Sequence, residues 1–114
     1  MKTAIQMETS MMKRVIAACA ITVGLLSAGA VQADEKLAQA NGCLTCHSVE
    51  KKILGPAYKD VAAKYKDDKG AQASLVKRVK EGGTGVWGAF TMPPNTQVKD
   101  ADIATLVKWI LAQQ

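Results

Sequence analysis

Apolar positions in the C-terminal third fall at helical intervals. Ile103, Leu106, Val107, Ile110 and Leu111 recur at i, i+3, i+4, i+7 and i+8, one broad face of a helix. Asp100 stands where a capping side chain would accept the first orphan amides, so a helix is predicted to open there. Leu75, Val76 and Val79 share a side of a second predicted helix, Gln72–Glu81, and Gly82-Gly83 is a stop signal. Glu35–Asn41 sets Leu37 and Ala40 on one side and stops near Gly42, and a shorter helix is predicted over Asp60–Tyr65, after Pro56. No stretch alternates apolar and polar residues as a half-buried strand would, and no internal repeat occurs. The pattern is all-α: about four helices in one domain.

Residues 1–33 follow a different rule. Lys13 and Arg14 precede an apolar run, Val15–Ala28, and Val31-Gln32-Ala33 puts small residues at the third and first positions before a cut. That is the layout of a cleaved secretory signal peptide. The competing reading, a membrane anchor, needs about 20 apolar residues, more than this run supplies. Too few apolar residues precede Cys19 for a lipoprotein site. Met1–Ser10 add nothing that a leader requires, so Met11 or Met12 is an alternative start. The expected organisation is a signal peptide over 1–33 and one domain over 34–114, with no membrane span after cleavage and a periplasmic location.

Removing the leader changes the charge arithmetic. The whole chain carries 15 Lys+Arg against 10 Asp+Glu; Asp34–Gln114 keeps 12 and nine, a net charge of +3 over 81 residues. Mild basicity without a dense stripe argues against a nucleic-acid partner. A domain this small buries a limited core and commonly depends on a covalent or metal staple.

The candidate staple is one pentapeptide. After residue 33 the chain has two cysteines and one histidine, all within Cys43-Leu44-Thr45-Cys46-His47. This is the C-x-x-C-H pattern of covalent c-type haem attachment. Each thiol adds across one vinyl group, two intervening residues let the sulfurs span both vinyls, and the histidine that follows becomes the proximal ligand. A structural zinc site would need further Cys or His ligands, which the domain lacks. A redox-active C-x-x-C would need a βαβ context, whereas these flanks are helical. A plain disulfide across so short a loop would constrain little of the unfolded chain.

The partner ligand follows by elimination. Thioether sulfur is a frequent axial partner opposite histidine and raises the reduction potential. Met92 is the only methionine after residue 33. A lone methionine is ordinarily core filler. Met92, however, heads Met92-Pro93-Pro94-Asn95, where two prolines stiffen the backbone, and it lies 45 residues beyond His47, enough chain to wrap a haem edge. Gly82, Gly83, Gly85 and Gly88 form a loop suited either to close approach of a flat ligand or to a plain flexible turn. Trp109 falls in a helical repeat and is expected in the core. Trp87 sits among glycines in a loop, where its indole N–H needs a partner.

Several stretches resemble class I c-type cytochromes, specifically the short bacterial c-551/c-552 type. They are Gly42-Cys43-Leu44-Thr45-Cys46-His47, the run Gly55–Tyr65, Gly85-Val86-Trp87-Gly88, Met92-Pro93-Pro94-Asn95 and Lys108-Trp109-Ile110-Leu111, which together cover most of residues 34–114. The segment between Asn95 and Trp109 is one residue longer than the family pattern. The resemblance implies a small helical fold around one covalent haem c and a periplasmic electron carrier. It also implies that the Pro56 carbonyl meets the ring N–H of His47, that Trp87 and Arg78 hydrogen-bond a haem propionate, and that Asn95 supports the Met92 sulfur. On the residues alone, Arg78 would be a solvated helix position.

The expected function is therefore a monohaem, non-enzymatic electron carrier whose iron is closed by His47 and Met92. Redox proteins are the expected partners: at family level, a bc-type complex as donor and a terminal oxidase or nitrite reductase as acceptor. A monomer is expected. Lys51, Lys52 and Lys59 either steer an acidic partner or simply keep the protein soluble. Rival readings are a haem peroxidase or gas-binding cytochrome, which needs an open iron site, and a haem subunit of a larger redox complex.

Overall fold

The computed structural model describes residues 34–114. Four α-helices run in order: α1 over 34–40, α2 over Tyr58–Lys64, α3 over Ala71–Glu81 and α4 over Asp100–Leu111. Among the described residues the one extended pairing is an isolated antiparallel bridge between Gly83 and Met92. The all-α expectation holds. The leader expected over 1–33 lies outside the described residues. No described helix is long and apolar enough to cross a membrane.

α4 is the axis of the fold because its apolar face is wide enough to meet two partners. Leu106, Trp109 and Ile110 join Ala38, Tyr58 and Val61 in one buried cluster, against α1 and α2. Ile103 and Val107, the two bulkiest fully buried side chains, join Val98 in a second cluster against Leu75, Val76 and Val79 of α3. Burying each such aliphatic side chain contributes roughly 1.5–3 kcal/mol before conformational entropy is charged. Trp109 lies in the core as its repeat predicted, meeting Tyr58 edge to face with centroids 5.4 Å apart.

Helix ends depart from the sequence expectations for identifiable reasons. α4 begins at Asp100, but Lys99 occupies the capping position and the Asp100 side chain caps nothing. Its carboxylate instead accepts from Lys80 Nζ at 2.8 Å, tying the start of α4 to the end of α3. α2 opens at Tyr58, two residues before the predicted Asp60, because loop carbonyls take its first amides: Tyr58 N donates to Ser48 O and Lys59 N to Val49 O. It closes at Lys64, one residue early, and α3 opens at Ala71, one residue early, with Ala71 buried. In α1 the deeply buried small residue is Ala38, while Ala40 is exposed. Leu37 meets the first cluster as expected, while Ala38 rather than Ala40 is the small residue buried in it.

Candidate haem-binding site

α1 ends in a reversal that aims the pentapeptide. Asn41 Nδ2 donates to Leu37 O at 2.9 Å, and Gly42 adopts φ 76°, a left-handed conformation that costs glycine little. A single 3-10 turn, Cys43–Thr45, follows, and His47 N returns to Cys43 O at 3.0 Å. Neither cysteine is in a disulfide among the described residues; both are half-buried, on the wall of one cavity of about 200 Å³.

His47 is held from three sides. Its Nδ1 is 2.8 Å from Pro56 O. A carbonyl can only accept, so Nδ1 carries the proton and Nε2 presents its lone pair. Tyr58 stacks on the ring at 5.0 Å between centroids and 21° between planes. Gly55 closes the third side: a Cβ there would lie 2.5 Å from Cε1 and 2.8 Å from Nδ1. The Tyr58 hydroxyl lies by the Cys43 sulfur, and burial raises the pKa of that hydroxyl, so it stays protonated near neutrality.

Met92 arrives from the connection between α3 and α4 and also borders the cavity. Its backbone exchanges two hydrogen bonds with Gly83, at 2.9 and 3.0 Å. The Asn95 side-chain amide donates to Val79 O at 3.0 Å and to Pro93 O at 3.3 Å, fastening the loop that carries Met92. Arg78, half-buried on α3, borders the cavity and enters no ion pair among the described residues. Trp87 is on the exposed rim, with Lys64 Nζ 5.5 Å from its ring centroid. Its indole N–H has no protein partner among the described residues.

All eight residues singled out in the sequence (Cys43, Cys46, His47, Pro56, Arg78, Trp87, Met92 and Asn95) thus border one cavity. The rest of its lining is largely apolar: Leu75, Leu106, Val107 and Ile110 form part of the wall, and Val86 and Phe90 stand exposed at its edge. These residues fit a covalently attached haem. Two thiols stand beside an imidazole with a free Nε2, a thioether comes from a separate element, and an unpaired guanidinium and a free indole N–H suit the carboxylates of the group. Among the described residues no cluster of three His, Cys, Asp or Glu could hold a bare metal ion, which leaves the zinc reading without ligands.

Comparison with known proteins agrees. The cytochrome c family model matches residues 32–114. The chain belongs to the cytochrome c family. It is similar to cytochrome c-551 of Allochromatium vinosum, 61% identical over 79 residues that span 69% of this chain and 84% of that protein. Cytochrome c-552 of Nitrosomonas europaea is 53% identical over 87 residues, 76% of this chain and 84% of that one. The crystal structure of wild-type Nitrosomonas europaea cytochrome c552 superposes with a TM-score of 0.69 at 49% identity, over 70% of this chain and 99% of that one. This cytochrome c is a small class I protein of the c-551/c-552 type that binds one covalent haem c and acts as a monohaem electron carrier.

Tyr58 and Gly55 escaped the sequence reading as site residues. Both lie in the Gly55–Tyr65 run that carries the family resemblance, but the resemblance gives neither a role there, and Tyr58 falls two residues before the predicted start of α2. The faint signal was their adjacency to Pro56.

Proposed function

We propose that this cytochrome c carries single electrons in the periplasm between respiratory redox proteins, as a soluble monomer. The observation that carries this reading is the convergence of the cysteine turn, the Pro56-held imidazole and the Met92 loop on one cavity. When bound, the haem supplies a one-electron ferric/ferrous couple. Cys43 and Cys46 would hold it as thioethers, His47 Nε2 and Met92 Sδ would coordinate its iron, and Arg78 and Trp87 would meet its carboxylates. With His47 and Met92 both committed to the iron, small molecules would find no open site. The leader over 1–33 supports export, and the family resemblance supports a bc-type complex as donor and a terminal oxidase or nitrite reductase as acceptor.

Partner contact is proposed to be small and transient, of the kind that buries under about 1,200 Å². Lys51 and Lys52 are exposed beside exposed Ile53 and Leu54, whereas Lys59 is engaged with Glu50 at 2.8 Å. Steering therefore falls to Lys51 and Lys52.

The test is direct. The exported protein should weigh one haem more than the Asp34–Gln114 polypeptide, and its reduced form should bind carbon monoxide slowly and weakly at neutral pH. A product without the added mass refutes the cofactor assignment, and rapid tight binding refutes the closed site in favour of a peroxidase or gas-binding protein. Gel filtration of the periplasmic fraction separates a free carrier from a complex subunit.

A further inference from the structure

We infer that Gly82 is a positioning residue that keeps the axial site closed, by letting the Met92 loop rest directly on the C-terminus of α3. The inference deepens the proposed function and rests on the assignment of Met92 as axial ligand.

The tetrapeptide Met92-Pro93-Pro94-Asn95 has only two backbone N–H groups, because proline has none. Both are spent on the same short stretch of chain. Met92 N donates to Gly83 O, and Asn95 N donates to Val79 O. Two further bonds run between the same partners, Gly83 N to Met92 O and Asn95 Nδ2 to Val79 O. The ligand loop is thereby fastened at both ends to Val79–Gly83. Between those fastenings the loop lies against Gly82. A Cβ there would collide with the Met92 carbonyl oxygen and would stand 2.8 Å from Pro94 N and 2.9 Å from Pro93 C. These are backbone atoms of a proline-stiffened segment, so they cannot swing aside as a side-chain tip would. The backbone makes the same demand independently: Gly82 has φ 73° and ψ −167°, a region held almost exclusively by glycine. Gly82 therefore uses its missing side chain for protein–protein contact. Neither sequence reading of the glycine loop, flat-ligand approach or free turn, describes this residue.

The consequence falls on Met92. Relieving a 2.8 Å contact to an ordinary separation of about 3.4 Å moves the tetrapeptide away from α3 by roughly half an ångström or more. Ligand geometry tolerates about that much and little beyond. His47 and the two cysteines belong to a different segment and stay where they are.

The experiment uses the holoprotein. Oxidised Gly82→Ala is titrated with imidazole while the sulfur-to-iron charge-transfer absorption is followed. We expect a weakened band and imidazole affinity raised at least about tenfold, with the haem still covalently bound. Gly88→Ala is the control, because Gly88 also has positive φ (111°) but nothing within 4 Å of its would-be Cβ. It carries the same kind of backbone penalty without the contact, so its band and imidazole affinity should match the unmodified protein even where its stability does not. Unchanged band and affinity in Gly82→Ala overturns the inference, as does an equal increase in Gly88→Ala. Met92→Ala separates the two levels. If it leaves band and affinity unchanged, the ligand assignment falls and the inference with it; if it opens the site while Gly82→Ala does not, the inference alone falls. Should Gly82→Ala yield no holoprotein, amide exchange of the unmodified holoprotein decides. The Met92 and Gly83 amides must share one protection factor, since both bridge bonds open together, and unequal or absent protection overturns the clamp.

Discussion

Gly55→Ala isolates the device that holds the proximal histidine. Gly55 has no left-handed backbone requirement, so an alanine there meets no conformational penalty of the kind that glycines at positive φ would incur. In the unfolded chain alanine loses less entropy on folding, which by itself favours the variant by about 0.4–1 kcal/mol. The opposing term is steric. The new methyl would stand 2.5, 2.8 and 3.0 Å from Cε1, Nδ1 and Nε2 of His47. All three are ring atoms, so rotation of a flexible tip offers no relief. Either the imidazole retreats, straining the 2.8 Å bond to Pro56 O, or the Gly55 segment retreats, straining the 2.7 Å bond from Gly55 N to Cys46 O. Overpacking costs roughly 1–3 kcal/mol, and one compromised hydrogen bond about 0.5–1.5 kcal/mol. Setting the entropy gain against these, the net loss is about 0.5–4 kcal/mol, which for a domain of this size lowers Tm by at least about 2 °C. Urea or thermal unfolding of the holoprotein measures it. A second readout is specific to the site: a weakened bond from Nδ1 makes the imidazole a poorer donor, which favours ferrous iron and raises the midpoint potential. A variant as stable as the parent, with the parent's potential, would refute the steric account of Gly55.

Four further outcomes are expected. Met92→His should lower the midpoint potential, because imidazole replaces the thioether that favours the reduced state; voltammetry showing no drop counts against Met92 as ligand. Trp109 Nε1 is buried without a partner among the described residues, so Trp109→Phe should cost under about 2 kcal/mol, since the lost indole area is offset by deleting an unsatisfied donor, whereas Trp109→Ala should cost about 3–5 kcal/mol; equal losses in chemical denaturation would contradict the orphan. Lys80→Ala should destabilise by no more than about 1 kcal/mol despite its 2.8 Å contact with Asp100, because both side chains are largely exposed, and the loss should shrink in high salt. Replacing both Lys51 and Lys52 by Gln should flatten the salt dependence of electron transfer to an acidic partner, and an unaltered profile would reject steering by these residues.

The sequence carried more of this site than of its supports. Cys43, Cys46, His47 and Met92 were legible because each is chemically distinctive and scarce: two cysteines, one histidine and one methionine remain after residue 33. Helices α3 and α4 were legible because their apolar residues repeat with the period of the element that buries them. What stayed hidden works through contacts between distant parts of the chain. Asp100 carries the signature of a cap, yet Lys80, twenty residues away, claims its carboxylate. The start of α2 was misjudged because the carbonyls that satisfy its first amides belong to Ser48 and Val49, in a loop with no regular pattern. Asn95 appears beside the methionine in sequence, but in space its amide faces Val79.

The same distinction explains how so small a domain stays folded. The residues that line the cavity are also members of the core: Val61, Leu106 and Ile110 belong to one buried cluster, Val107 to the other. An empty cavity would leave the apolar sides of both clusters facing water, and α4 carries most of those side chains. A covalently attached porphyrin in this cavity would cover both at once, and covalency would keep it from dissociating as the fold loosens. Attachment and packing are therefore one requirement seen from two sides.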